Sequence, residues 1–117
     1  MKEMRKEIEY NGVKYNLVFN LNVMEVIQEE YGTLDKWGVL TDGSNGEPNA
    51  KAVVFGFTAM LNEGIDIDNE LREKGDKIEF LTHKQVGRIL TAIGLAQATK
   101  TMNEAVIEST KSDQKNA

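Results

Sequence analysis

The sequence predicts an α+β fold that is mainly α, with an N-terminal β-hairpin packed on a small bundle of about three to five helices, including a long C-terminal helix. Three observations support this fold class. Alternating apolar and polar residues flank an Asn-Gly pair, helical spacing of apolar residues begins after residue 20, and turn-forming residues separate the later apolar runs. With 117 residues, we expect one domain over residues 1–110 and a disordered polar tail over 111–117.

The hairpin prediction depends on Asn11-Gly12, which lies between two alternating runs. A type I′ turn needs positive φ at both central positions, and Asn and Gly tolerate that conformation best. In the second run, alternate residues should face the core, and Val18 is the only apolar residue predicted to face outward. The predicted inward-facing residues are Val13, Tyr15, Leu17 and Phe19.

The first helix is predicted to begin at a cap formed by Asn20 or Asn22 and to end at Gly32 in a left-handed conformation. A short helical turn capped by Thr33 should follow, with Trp37 sealing one end of the core. The predicted buried stripe of the first helix consists of Val23, Val26, Ile27 and Tyr31.

The central core helix is predicted over Ala50–Asn62, because this run is apolar almost all round. Asn49 should cap its start, and Gly64 should terminate it. The preceding residues, 41–49, form a predicted loop rich in turn formers, and residues 65–75 form a predicted polar connection.

The last helix is predicted to follow an N-cap at Thr82 and to run from His83 to about Ser109. Such a helix would be about 40 Å long, whereas a compact domain of this size has a diameter near ~35 Å. We therefore expect the helix to project from the body or to bend, with Gly94 as the position of the bend.

Composition argues against several classes of partner. The net charge is −5, and the 14 basic residues are scattered among 19 acidic ones, which disfavours nucleic-acid binding. No apolar run approaches the roughly 18 residues of a membrane span, and no signal peptide follows the charged start. Because there is also no cysteine, we expect a cytoplasmic protein with neither nucleic-acid nor membrane partners.

No catalytic set of residues is apparent. His83 is the only histidine, and a lone histidine in the first turn of a helix is expected to be an ordinary surface residue. The chain has no cysteine and no Gly-x-Ser-x-Gly elbow that could position a nucleophile. We therefore predict no enzyme activity, no catalytic residues and no cofactor.

Two segments resemble ligand-binding motifs but lack residues that those motifs need. The run Asp66-x-Asp68-x-Glu70 starts like an EF-hand loop, but Leu71 and Lys77 stand where that loop needs Gly and Glu. The segment 42–46 lacks the basic residue of a phosphate-binding loop. Helix capping and solvation explain these residues, and we predict no metal site.

Small residues recur at alternating spacings of four and three along the last helix. On a continuous helix they would form one row, and each interior glycine costs roughly 1 kcal/mol relative to alanine. Close packing against another helix would compensate. That neighbour is either the chain's own core helix or a helix from a partner or a second copy. The row consists of Gly87, Thr91, Gly94, Ala98, Thr101 and Ala105.

The order of elements resembles the small tail assembly chaperones of long-tailed bacteriophages and prophages. The resemblance lies in the Asn-Gly hairpin, a strand ending in Phe-Asn, a helix ending in Glu-Tyr-Gly, an apolar helix ending in Leu-Asn-Glu-Gly, and Phe-Leu-Thr before the long terminal helix. It covers about residues 8–109. It implies a chaperone that binds and solubilises the tape measure protein, helps recruit tail tube subunits, and is missing from the mature virion.

Under this resemblance, we expect the partner-binding surface on the last helix, where the same surface could also bind a second copy to give a homo-oligomer. A bulky replacement of Gly94 should then abolish co-purification with the tape measure protein while leaving the fold intact. The alternative is a structural virion component, such as a tail tube or head-tail connector subunit, although tube proteins form β-rich rings. The predicted partner-binding residues are Val86, Gly87, Leu90, Ile93, Gly94, Leu95, Ala98 and Met102.

Overall fold

The structure is a computed structural model that describes the backbone of residues 1–115 and the side chains of residues 1–111. Within these residues, a two-stranded antiparallel hairpin packs on five α-helices, which confirms the predicted fold class. The elements are β1 (Met4–Tyr10), β2 (Val13–Phe19), α1 (Leu21–Tyr31), α2 (Leu34–Thr41), α3 (Ala50–Glu70), α4 (His83–Ile93) and α5 (Leu95–Lys115).

The hairpin turns at the predicted Asn-Gly pair. Asn11 and Gly12 have φ values of 51° and 77°, so both central positions adopt positive φ as predicted. The two strands pair in register from Tyr10 opposite Val13 to Met4 opposite Phe19. Val13, predicted to face the core, is 45% exposed, because it lies beside the turn at the tip of the hairpin.

Both faces of β2 are covered near its C-terminal end. Asn16 donates a hydrogen bond to Asp68 of α3 at 3.1 Å, and Asn20 donates one to Glu63 of α3 at 2.6 Å. Val18 shares this face with the two asparagines and is fully buried. The prediction that Val18 faces outward is therefore wrong, because α3 occupies the side of the strand that the alternating pattern assigns to solvent.

Helix α3 continues past Gly64 to Glu70, so the predicted helix end at Gly64 is wrong. A Cβ atom at Gly64 would overlap the main-chain carbonyl of Asn16. The glycine therefore allows the helix to pass β2 at backbone distance. The other face of the hairpin contacts α5, where Lys6 forms an ion pair with Glu108 at 3.2 Å.

The predicted N-caps are confirmed. Each cap side chain accepts a hydrogen bond from a main-chain N–H of the first helical turn, which would otherwise lack a partner. Thr82 also forms a capping box with Gln85. The caps are Asn20 for α1, Thr33 for α2, Asn49 for α3 and Thr82 for α4.

Helix α1 ends as predicted but buries a narrower stripe. Its last residue is Tyr31, and Gly32 follows with φ of 88°. Val23 and Ile27 are buried, whereas Val26 is 42% exposed. Val26 was predicted to be buried. It instead lines the edge of a shallow cleft beside α3 and Phe80, because α1 turns that part of its apolar stripe away from the core.

The predicted long last helix is two helices. They are α4 and α5, and Gly94 joins them with φ of 98° and ψ of 133°. The position of the predicted bend is confirmed, but the continuous helix is wrong. The predicted disordered tail overlaps α5 as far as Lys115, and residues 116 and 117 lie outside the described residues.

Two asparagines of α3 hold the segment that leads into α4. The Asn62 amide pairs with both the N–H and the carbonyl of Leu81, at 2.8 and 3.0 Å, and the Asn69 amide pairs in the same way with Ile78, at 3.0 and 2.9 Å. Seven residues of α-helix span about 10.5 Å, and three residues of extended chain span about 10 Å, so the two spacings match. These bonds place α4 beside α3.

Candidate partner-binding groove

The break at Gly94 divides the predicted row of small residues between two helices. Four of the predicted partner-binding residues pack inside the chain, because they belong to the main hydrophobic core. For them, the close-packed neighbour is the chain's own core. Ile93 is partly buried against the same core. The four core residues are Val86, Leu90, Ala98 and Met102.

An apolar groove with a volume of about 490 Å³ lies where α3, α4 and α5 meet. It includes Gly87, Leu90 and Leu95 from the predicted surface, and we call it the α3–α4 groove. Leu95 is 41% exposed at its rim. Its lining residues are Ala50, Val53, Val54, Gly87, Leu90, Thr91 and Leu95.

The α3–α4 groove can bury apolar groups of a ligand beside uncharged side chains. Among the residues that the structure describes, no ionisable side chain lines it. The Thr91 hydroxyl donates to the carbonyl of Gly87 at 2.8 Å, so the helix itself uses this polar group. The groove can therefore bind apolar side chains, each contributing roughly 1.5–3 kcal/mol if fully buried.

Gly87 leaves space in the groove that the fold does not use. A Cβ atom there would meet nothing within 4 Å. A helical glycine costs about 1 kcal/mol relative to alanine, and no close contact within the described chain requires it. The sequence identified Gly87 as unusual, but it gave no sign that the first turns of α3 form the opposite wall, because Val53 and Val54 look like ordinary core residues.

The residues considered for chemistry remain apart. His83 lies on the surface, and its ring stands edge-on to Phe55 with centroids 6.2 Å apart. The ring of Tyr31 stands edge-on to the same Phe55 at 5.4 Å. Burial, and to a smaller extent the Glu30 carboxylate, raise the pKa of Tyr31. This aromatic row joins α1, α3 and α4 without gathering a nucleophile and a base.

The acidic segment of α3 does not form a metal site in the described part of the chain. Asp66 and Asp68 lie on a regular helix, and Asp68 accepts a hydrogen bond from Asn16. No group of three or more side chains within residues 1–111 has the arrangement needed to hold a metal ion. None of the helices described over residues 1–115 is long and apolar enough to cross a bilayer.

No family model matches the chain, no curated protein is significantly similar to it, and no solved structure matches its fold.

Proposed function

We propose that the chain is a phage tail assembly chaperone that binds and solubilises the tape measure protein through the α3–α4 groove. In this role it acts without catalysis in the host bacterial cytoplasm, helps recruit tail tube subunits, and is missing from the mature virion. The observation that carries the proposal is the uncharged groove with unused space at Gly87. The order of elements, which resembles that of tail assembly chaperones, supplies the identity of the partner.

The groove suits an apolar helix. Side chains at positions i, i+3 and i+4 of a partner helix project from one face and can enter a groove between helices. Leu95 at the rim and Val54 on the wall would contact such side chains. Because no ionisable group among the described residues lines the groove, we expect the bound state to depend on apolar burial, which favours affinity modest enough for tail tube subunits to displace the chaperone.

Filling the groove tests this function. We expect Gly87→Leu to reduce co-purification with the co-expressed tape measure protein at least tenfold, because the added side chain occupies the open space. The same change removes a helical glycine, so the melting temperature should not fall. Gly75→Leu is the matched control, since Gly75 also has open space around it but lies outside the groove.

Gly87→Leu is a better test of the binding surface than a bulky substitution at Gly94. The φ of 98° at Gly94 disfavours every side chain, so a bulky residue there would disturb the α4–α5 junction as well as binding. Undiminished co-purification of the folded Gly87→Leu variant would exclude the groove as the binding site. Size-exclusion chromatography of the same samples shows whether Gly87→Leu also changes the oligomeric state, as expected if a second copy occupies the groove.

Mass spectrometry of purified virions separates a chaperone from a structural virion component. A chaperone should be missing from virions, whereas a tail tube or connector subunit should be present in many copies. The two-stranded hairpin found in residues 1–115 supports the chaperone, because tube rings need extensive β-sheet. Stoichiometric recovery of the chain from virions would overturn the proposal.

A further inference from the structure

A second groove, also with a volume of about 490 Å³, lies between α2 and α5, and we call it the α2–α5 groove. Trp37 lines it, and this residue is the only tryptophan of the chain. Val39 of α2 is 42% exposed and Ile107 of α5 is 61% exposed, and both line the groove. These two side chains leave apolar surface open to water on both walls.

Gly38 keeps this groove open. It lies inside α2, and a Cβ atom there would meet nothing within 4 Å. A helical glycine lowers helix stability by about 1 kcal/mol relative to alanine, which is a considerable cost for a helix of only 8 residues. No close contact in the described chain requires a glycine at this position. Gly38 therefore leaves room that a ligand can use.

The charged residues known to line this groove are acidic. They are Asp35 and Asp42, and no basic residue lines it among those whose side chains the structure describes. Lys36 is the lysine of α2, and its side chain lies beside Gly32, outside the groove lining. The hydroxyl and N–H of Ser44 donate to the Asp42 carboxylate at 2.5 and 2.8 Å and lower the pKa of Asp42, so it is ionised at neutral pH.

The end of helix α2 adds to this negative charge. Asp42 is the C-cap of α2, and its N–H donates to the carbonyl of Gly38. The carbonyl groups at the C-terminus of a helix carry partial negative charge. A cationic side chain at this end of the groove would therefore meet both a carboxylate and the negative end of the helix dipole.

We propose that the α2–α5 groove binds an amphipathic helix whose apolar face is flanked by lysine or arginine. The apolar residues of that helix pack on the exposed Val39 and Ile107, above the buried Trp37, and its cations lie near Asp35 and Asp42. Charge complementarity selects this partner over an acidic or uncharged helix. This site is separate from the α3–α4 groove and does not depend on which partner binds there.

Fluorescence anisotropy of a dye-labelled peptide measures this binding directly. The probe is a labelled synthetic amphipathic helix of leucine and lysine, and the control is a labelled helix of leucine and glutamate with the same apolar pattern. We expect a saturable rise in anisotropy with the lysine peptide and none with the glutamate peptide. Raising the salt concentration should weaken the binding, because the flanking charges are exposed.

Variants locate the binding site. Gly38→Leu fills the groove and should abolish the rise in anisotropy, while Gly87→Leu fills the other groove and should leave it intact. Asp42→Asn and Asp35→Asn should each weaken binding about two- to fivefold, as expected for exposed charge pairs. The exposed Asp76, which does not line the groove, supplies the control variant Asp76→Asn.

A second variant, Ile107→Ser, tests the site if Gly38→Leu disturbs α2. Ile107 is exposed on α5, so its replacement should weaken peptide binding. Circular dichroism should show no loss of helicity. Leu71→Ser changes an 88% exposed leucine elsewhere and is the control for Ile107→Ser.

The proposal would be overturned if the two peptides bound equally well or if neither peptide bound. It would also be overturned if both Gly38→Leu and Ile107→Ser left the binding of the lysine peptide unchanged. Loss of peptide binding in Gly87→Leu but not in Gly38→Leu would also overturn it, because the peptide would then bind the α3–α4 groove. That result would leave the proposed chaperone function standing.

Discussion

Helix α3 continues without a break through Gly64, whereas the chain between α4 and α5 breaks at Gly94. At Gly64 the backbone is helical, and a Cβ atom would overlap the carbonyl of Asn16. At Gly94 a Cβ atom would meet nothing within 4 Å, but φ is 98° and ψ is 133°. One glycine is needed for the space it leaves, and the other for the backbone conformation it permits.

This comparison separates two properties of glycine that usually occur together. A position of the first kind should tolerate no larger L-residue, because the neighbouring backbone occupies the space of the Cβ atom. A position of the second kind should penalise an L-residue through backbone strain, even where the space around it is open. Gly87 represents a third case, helical and open, in which neither property is needed.

The largest effect is expected for Gly64→Ala. The added methyl group meets a main-chain carbonyl, so α3 and β2 must move apart, and we expect a loss of about 3 kcal/mol in the free energy of unfolding. Urea denaturation measures this loss. An unchanged denaturation midpoint would show that α3 does not approach β2 at backbone distance.

A smaller loss is expected for Gly94→Ala. The open space removes any steric clash, and the cost of roughly 1–3 kcal/mol comes from holding an L-residue at positive φ. Urea denaturation measures this loss as it does for Gly64→Ala. If Gly94→Ala left the denaturation midpoint unchanged, the α4–α5 junction would not depend on positive φ.

The smallest effect, with the opposite sign, is expected for Gly87→Ala. Alanine favours the helix by about 1 kcal/mol and contacts nothing in the open groove, so the melting temperature should rise. Gly38→Ala should act in the same direction in α2. A decrease in stability for either variant would mean that the groove it lines is closed in solution.

Much of the local structure was predictable, because it depends on residues close together in the chain. Asn11 and Gly12 determine the turn by their own backbone preferences, and each N-cap side chain bonds to an N–H three residues later. The position of Gly94 as a weak point followed from the length of the helical run. These features required no knowledge of the tertiary fold.

The candidate site was only partly predictable. Gly87, Leu90 and Leu95 were predicted to belong to a partner-binding surface and line the α3–α4 groove, whereas Ala98 and Met102 are buried in the core. Helical spacing places all of these residues on one face only if the helix is continuous. The break at Gly94 changes the direction of α5 and turns its small residues toward the chain's own core.

The sequence alone determined the hairpin, the starts of α1 to α4 and the α+β class, since these depend on interactions within a few residues. Only the tertiary structure decided that Gly64 lies inside a helix, that Val18 is buried and that two grooves remain open. Each of these outcomes depends on segments far apart in the chain, such as Asn16 with Gly64 or α2 with α5. A glycine in the sequence can permit close approach of another backbone, permit positive φ or leave an open space. Only its neighbours in the fold determine which of these three roles it has.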